Sequence, residues 1–254
     1  GYVSADGQTW QTMTSAFPAY RSFVVRARGF LPVDGEWEQV VGSAFGGGSG
    51  FGDRFNLAAS SMATFDDALF VGTDNPFGAE VTYSLDGEAW YLGNNPGFNV
   101  PTNDAIASLV PFDGHLYAAA RNRSLGTQVW RTGSPLIWTS VGSDGFGDPG
   151  NTSAPSGTVF GDEVYFGTDN PTGCEIWRSP DGLSWLQANT DGFGDAQNRV
   201  AETMAIFTGE LYVGTRNIGG AELWKTADGD TWVPVMSGGF GSPQNEAITD
   251  LAVY

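Results

Sequence analysis

An all-β propeller of four-stranded antiparallel blades is the fold this sequence predicts, and three observations carry the prediction. One unit is copied along the chain, each copy alternates β-branched or aromatic runs with tight-turn residues, and no copy places apolar residues at a helical spacing of three to four. The repeated asparagines Asn56, Asn103, Asn151, Asn198 and Asn245 lie 47, 48, 47 and 47 residues apart, a period of propellers and solenoids built from one supersecondary unit per copy. The copies run over residues 50–96, 97–144, 145–191 and 192–238, and a truncated one begins at 239.

Within the fourth copy the elements follow in order. Residues 201–207 alternate small and apolar side chains and are the expected innermost strand. A Thr208-Gly209 turn leads to a second strand over 210–215, and a glycine-bearing loop over 216–220 leads to a third over 221–226. The turn Ala227-Asp228-Gly229 then precedes an outermost strand over 231–235. Asp-Gly and Asn-x-x-Gly supply the positive backbone angles that such turns need.

The chain as a whole, residues 1–254, reads as a single propeller domain. Residues 1–10 match the third and fourth strands and 246–254 the first, so 239–254 and 1–15 are expected to form one closing blade, which removes free sheet edges. Residues 16–49 are expected as a short sixth blade, with an insertion in a five-bladed ring as the alternative. Tryptophans at six outer-strand positions (10, 37, 90, 138, 185 and 232) favour six. The second strand of the closing blade has no counterpart, so its slot is expected to be filled by residues outside the sequence or by a strand from another molecule, which would make the protein a self-associating or polymerising unit. The start in mid-repeat, with no Met and no leader-like segment, reads as a processed or incompletely covered chain.

Composition narrows the partners. Eleven basic against 29 acidic residues give a net charge of −18, which opposes nucleic acid and anionic lipid and favours solubility, salt tolerance and cations. No stretch approaches the ~18 consecutive apolar residues of a membrane-spanning helix, so direct membrane insertion is not expected. An acidic coat of this kind fits an extracellular or cell-surface location. Cys174 is the single cysteine, which leaves no intrachain disulfide and no thiolate metal site.

Between the third and fourth strands four segments share one pattern: Ser4-Ala-Asp6-Gly7-Gln-Thr-Trp10, Ser84-Leu-Asp86-Gly87-Glu-Ala-Trp90, Ser179-Pro-Asp181-Gly182-Leu-Ser-Trp185 and Thr226-Ala-Asp228-Gly229-Asp-Thr-Trp232. They resemble the Asp-box (BNR) hairpins, S/T-x-D-x-G-x-T-W, of sialidase-type and sortilin-like propellers, with one residue fewer between Asp and Gly. In the second copy Gly133-Ser-Pro-Leu-Ile-Trp138 lacks the aspartate. The resemblance implies a fold element on the face away from any active site. There the Asp would accept turn amides and the Trp would wedge between neighbouring blades.

Candidate chemistry is sparse. His115, the only histidine, sits in a turn where other copies carry Ala68, Glu163 or Glu210, and Cys174 takes a small-residue slot. On one loop face each copy presents an asparagine (Asn75, Asn122, Asn170, Asn217) and an acidic or amide residue (Glu80, Gln128, Glu175, Glu222). Asp53, Asp148 and Asp195 of the Gly-Phe-Gly-Asp runs join them. Their recurrence points to a scaffold bond needed once per blade. The functional alternatives are a shallow sugar site per blade, or a cation site in which Asp53, Asp148 and Asp195 hold Ca²⁺, the one cofactor the pattern admits. A single axial site would show instead as departures from the repeat, which include Arg21, Arg26, Arg28, Arg121, Arg123 and Arg216. The sequence is thus read as a non-catalytic binding or structural module for a protein or glycan at the cell surface. An extracellular carbohydrate-active enzyme or a lectin with one site per blade is the alternative.

Overall fold

The computed structural model describes residues 2–3, 11–12, 49–134 and 136–253. The chain divides into two compact units, Gly1–Val40 and Val41–Tyr254. In the first, β1 (Tyr2–Val3) pairs antiparallel with β2 (Gln11–Thr12). The expected short blade over 16–49, Asp6, Trp10, Arg21, Arg26 and Arg28, and with them the choice of six blades or five, lie outside the described residues.

The second unit is all-β apart from short turns around Gly-Phe dipeptides. Its first repeat holds β3 (Ala58–Phe65), β4 (Ala68–Asp74), β5 (Val81–Ser84) and β6 (Tyr91–Leu92). The second holds β7 (Ala105–Phe112), β8 (His115–Arg121), β9 (Gln128–Thr132) and β10 (Thr139–Val141). The third holds β11 (Ser153–Phe160), β12 (Glu163–Asp169), β13 (Ile176–Ser179) and β14 (Leu186–Gln187), and the fourth β15 (Asn198–Phe207), β16 (Glu210–Asn217), β17 (Leu223–Thr226) and β18 (Val233–Met236). Each repeat is a four-stranded antiparallel meander, the construction of a propeller blade. Single bridges, Asp74 to Ala105 and Asp169 to Val200, join the repeats in pairs into two eight-stranded sheets.

The second strand of the fourth repeat runs on to Asn217 and the third starts at Leu223, and two further boundaries differ from the expected ones for a local reason. The innermost strand of the fourth repeat starts at Asn198 because that residue already pairs with Asn217. The outermost starts at Val233, since the amide of Thr231 is taken by the Asp228 carboxylate and cannot join the ladder.

Neighbouring repeats meet along their inner strands, where small residues allow close approach. The hydroxyls of Ser61, Ser108 and Ser156 donate across the seam to the carbonyls of Ile106, Ala154 and Ala201, at 2.8, 2.8 and 2.6 Å. Buried apolar side chains fill each seam, among them Ile106 and Leu116 in the first and Tyr117, Val164 and Phe166 in the next.

The turn that opens each repeat puts a phenylalanine in the left-handed region. Phe98, Phe146 and Phe193 all have φ of 57°, a conformation costing a bulky L-residue about 1–2 kcal/mol. Aromatic packing offsets it. Each ring stacks on a third-strand tryptophan (Trp130, Trp177, Trp224) at 4.7, 5.1 and 4.9 Å and meets an outer tryptophan (Trp138, Trp185, Trp232) edge-on. The indole N–H groups of Trp138 and Trp232 reach the carbonyls of Gly93 and Ala188 in the preceding repeat. Trp185 lies against Gly142 of the repeat before it, and Trp90 packs on Phe51.

The aspartate hairpins are built alike. Asp86 accepts the amides of Glu88 and Ala89, Asp181 those of Leu183 and Ser184, and Asp228 those of Asp230 and Thr231. These amides hold all three carboxyls below the usual range, Asp181 at about 2. A depressed folded-state value stabilises the fold above the unfolded value of 3.8, and that contribution is lost as pH falls toward 2. Asp181→Asn is therefore expected to flatten the fall of the urea midpoint between pH 4 and 2. An unchanged acid profile would show that the hairpin amides do not couple to folding.

Candidate functional site

The recurring loop residues bond to one another. In the first repeat Asn75 donates to Asp53 and Asn56, and Asn56 donates to Glu80. In the third, Asn170 donates to Asp148 and Asn151, and Asn151 to Glu175 at 2.6 Å. In the fourth, Asn217 donates to Asp195 and Asn198, and Asn198 to Glu222. The second repeat substitutes Thr102 for the aspartate and Gln128 for the glutamate, with Asn122 and Asn103 between them. Asp53, Asp148 and Asp195 spend their other oxygen on the amides of Phe55, Gly150 and Gln197. The network also holds the opening turn of each repeat, because Asn151 and Asn198 bond the carbonyls of Gly145 and Gly192 there. Among the described residues no three His, Cys, Asp or Glu side chains gather as a metal would require. Burial pushes the Cys174 thiol up, and His115 rests on the Asp113 carbonyl.

A different group forms where the second strands end. Asp74, Arg121, Asp169 and Arg216 occupy the same position in successive repeats, one residue before the loop asparagine, so acid and base alternate. Arg121 bonds Asp74 at 3.2 Å and Asp104 at 2.6 Å. Arg123 pairs with Asp104, and Arg216 with Glu202. Three arginines thus engage three carboxylates, while the Asp169 carboxyl has no hydrogen bond or ion pair among the described residues. Burial first, and the charge of Glu202 next, raise its pKa, against the arginines at 123, 216 and 121.

Glu202 is the other singular member. It stands on inner strand β15 where the other repeats carry Ser60, Ala107 and Pro155, and it lines an open depression of about 240 Å³ with Ser108, Ser156 and Met204. A half-buried carboxyl whose pKa is raised, beside a second carboxylate fixed by an arginine, has the makings of an acid–base pair.

Arg121, Arg123 and Arg216, which stand out in the sequence as departures from the repeat, belong to this cluster. Asp169 and Glu202 do not stand out in the same way. Their signal is a charge at a repeat position that is small elsewhere, or a sign reversed between copies, and it emerges only when inner strands as well as loops are aligned.

No family model and no curated protein matches this chain. Among solved structures, it is similar to Trypanosoma rangeli sialidase at 15% identity, covering 71% of this chain and 38% of that one, with a TM-score of 0.49. It is also similar to the Bacteroides ovatus xyloglucan PUL GH43B at 15% identity, covering 69% and 40%, with a TM-score of 0.45. A chain of the nidogen/laminin complex is similar at 10% identity, covering 68% and 63%, with a TM-score of 0.49. The chain therefore spans well under half the length of the first two.

Proposed function

We propose that the protein is carbohydrate-active, with Asp169 and Glu202 as the acid–base pair, Arg216 fixing Glu202, and Arg121 and Arg123 holding the substrate's polar edge. The observation that carries this reading is the half-buried Asp169 carboxyl, without a hydrogen bond or ion pair among the described residues, beside Glu202. In glycoside cleavage one carboxylic acid protonates the leaving oxygen while a second carboxylate activates water or attacks the sugar, and burial is what keeps the first protonated. The acidic composition suits work outside the cell or at its surface.

Release of reducing ends from a panel of neutral and acidic oligosaccharides tests the proposal. Asp169→Asn is expected to lower the rate about a hundredfold and to remove the loss of activity at rising pH, with the thermal midpoint kept. Glu202→Gln is expected to lower the rate. Saturable binding without cleavage, abolished by Asp169→Ala, would replace the enzyme with a non-catalytic glycan-binding module. Cleavage unaffected by Asp169→Asn would place the chemistry elsewhere.

A further inference from the structure

A second site lies away from these charges, at the outer seam between the first and second repeats. A cleft of about 390 Å³ opens there between Leu92, Asn95, Asn99, Trp130, Leu136 and Trp138, within the size range of small-molecule sites. None of its lining side chains ionises, in a chain of net charge −18. Aromatic side chains belong to the lining and are held in place, Trp130 by stacking on Phe98 and Trp138 by its N–H to the Gly93 carbonyl.

Three departures from the pattern fall in the second repeat, and one of them, Asn99, lines the cleft. Asn99 stands where other copies have Gly52, Gly147, Gly194 and Gly241, and it keeps the left-handed backbone at φ 67°. Gln128 replaces the glutamate that caps the tryptophan N–H in the third and fourth repeats, where Glu175 and Glu222 accept from Trp177 and Trp224. Ser134 replaces the hairpin aspartates 181 and 228. At Asn99 an amide has been added to the lining at the cost of a left-handed backbone. The amides of Asn95 and Asn99 are exposed and make no side-chain hydrogen bond among the described residues.

We infer that this cleft binds the ring of a neutral sugar. Indole faces suit the apolar C–H face of a pyranose, amides suit its hydroxyls, and the absence of charge excludes an acidic sugar as the preferred occupant. The inference stands independently of the proposed acid–base pair, because it uses none of the same residues.

Binding of methyl β-glucopyranoside and xylotriose, followed by saturation-transfer NMR with glucuronate as the charged control, tests it. Both neutral probes are expected to saturate, glucuronate to bind more weakly, and Asp169→Asn to change neither. Asn99→Gly restores the residue of the other repeats, and Leu92→Trp fills the cleft from its exposed rim. Each is expected to weaken binding about tenfold with the thermal midpoint held or raised. Failure of the neutral probes to saturate, equal binding of glucuronate, or wild-type affinity in both variants would overturn the inference.

Discussion

Replacing Asn151 with alanine is expected to destabilise the fold by about 3 kcal/mol, because one fully buried side chain would leave three partners short. Its amide donates to the Gly145 carbonyl and to Glu175, and its oxygen accepts from Asn170. Glu175 would retain only the Trp177 N–H. Burial already raises the pKa of Glu175, and the hydrogen bond from Asn151 is the strongest influence opposing that rise. Losing it must raise the value further. A carboxyl whose folded pKa is raised destabilises the protein above that pKa, so part of the loss should return as pH falls toward the unfolded value of 4.5. Urea unfolding of Asn151→Ala against wild type, at pH 7 and near 5, reads both effects. A loss under about 1 kcal/mol would mean that water replaces the asparagine and that the network is dispensable.

The same residue shows how far the sequence can be read. Asn151 and its counterparts set the period, and recurrence favours a scaffold role, yet a sequence cannot display the partner of a side chain. Asn170, Asp148 and Glu175 are legible as members of one face but not as links in one chain of bonds. The left-handed Phe98 is hidden for the opposite reason. Local propensity argues against it, and only the packing of Trp130 and Trp138, more than thirty residues on, makes it tolerable. Asp169 and Glu202 are masked by the repeat itself, since neither differs from ordinary strand-end or surface residues until the four copies are superposed in register. The strands are plain from their residue types. Their ends move where a side chain such as Asp228 competes for a backbone amide.

Register also explains how closely the repeats can approach, and it predicts a coupled pair. Gly72 of β4 faces Ile106 of β7, and a methyl group on Gly72 would sit 2.5 Å from the Ile106 Cβ and 2.4 Å from the Ser61 hydroxyl. At the next seam the equivalent residues are Ala119 and Ala154, both fully buried. Gly167 against Ala201 and Gly214 against Ile248 complete the series among the described residues. The protein has therefore solved the same contact once with alanine on each side, twice with glycine against isoleucine and once with glycine against alanine. Gly72→Ala alone should overpack the seam and cost about 2 kcal/mol. Ile106→Ala alone should leave a cavity and cost about 3 kcal/mol. Combined, they reproduce the Ala119–Ala154 pairing, with the new methyl occupying part of the space vacated by isoleucine. The double variant should be more stable than the sum of the single losses by at least about 1 kcal/mol. Chemical denaturation of the four proteins measures that difference, and strictly additive losses would show that the seam accommodates each change without reference to the residue across it.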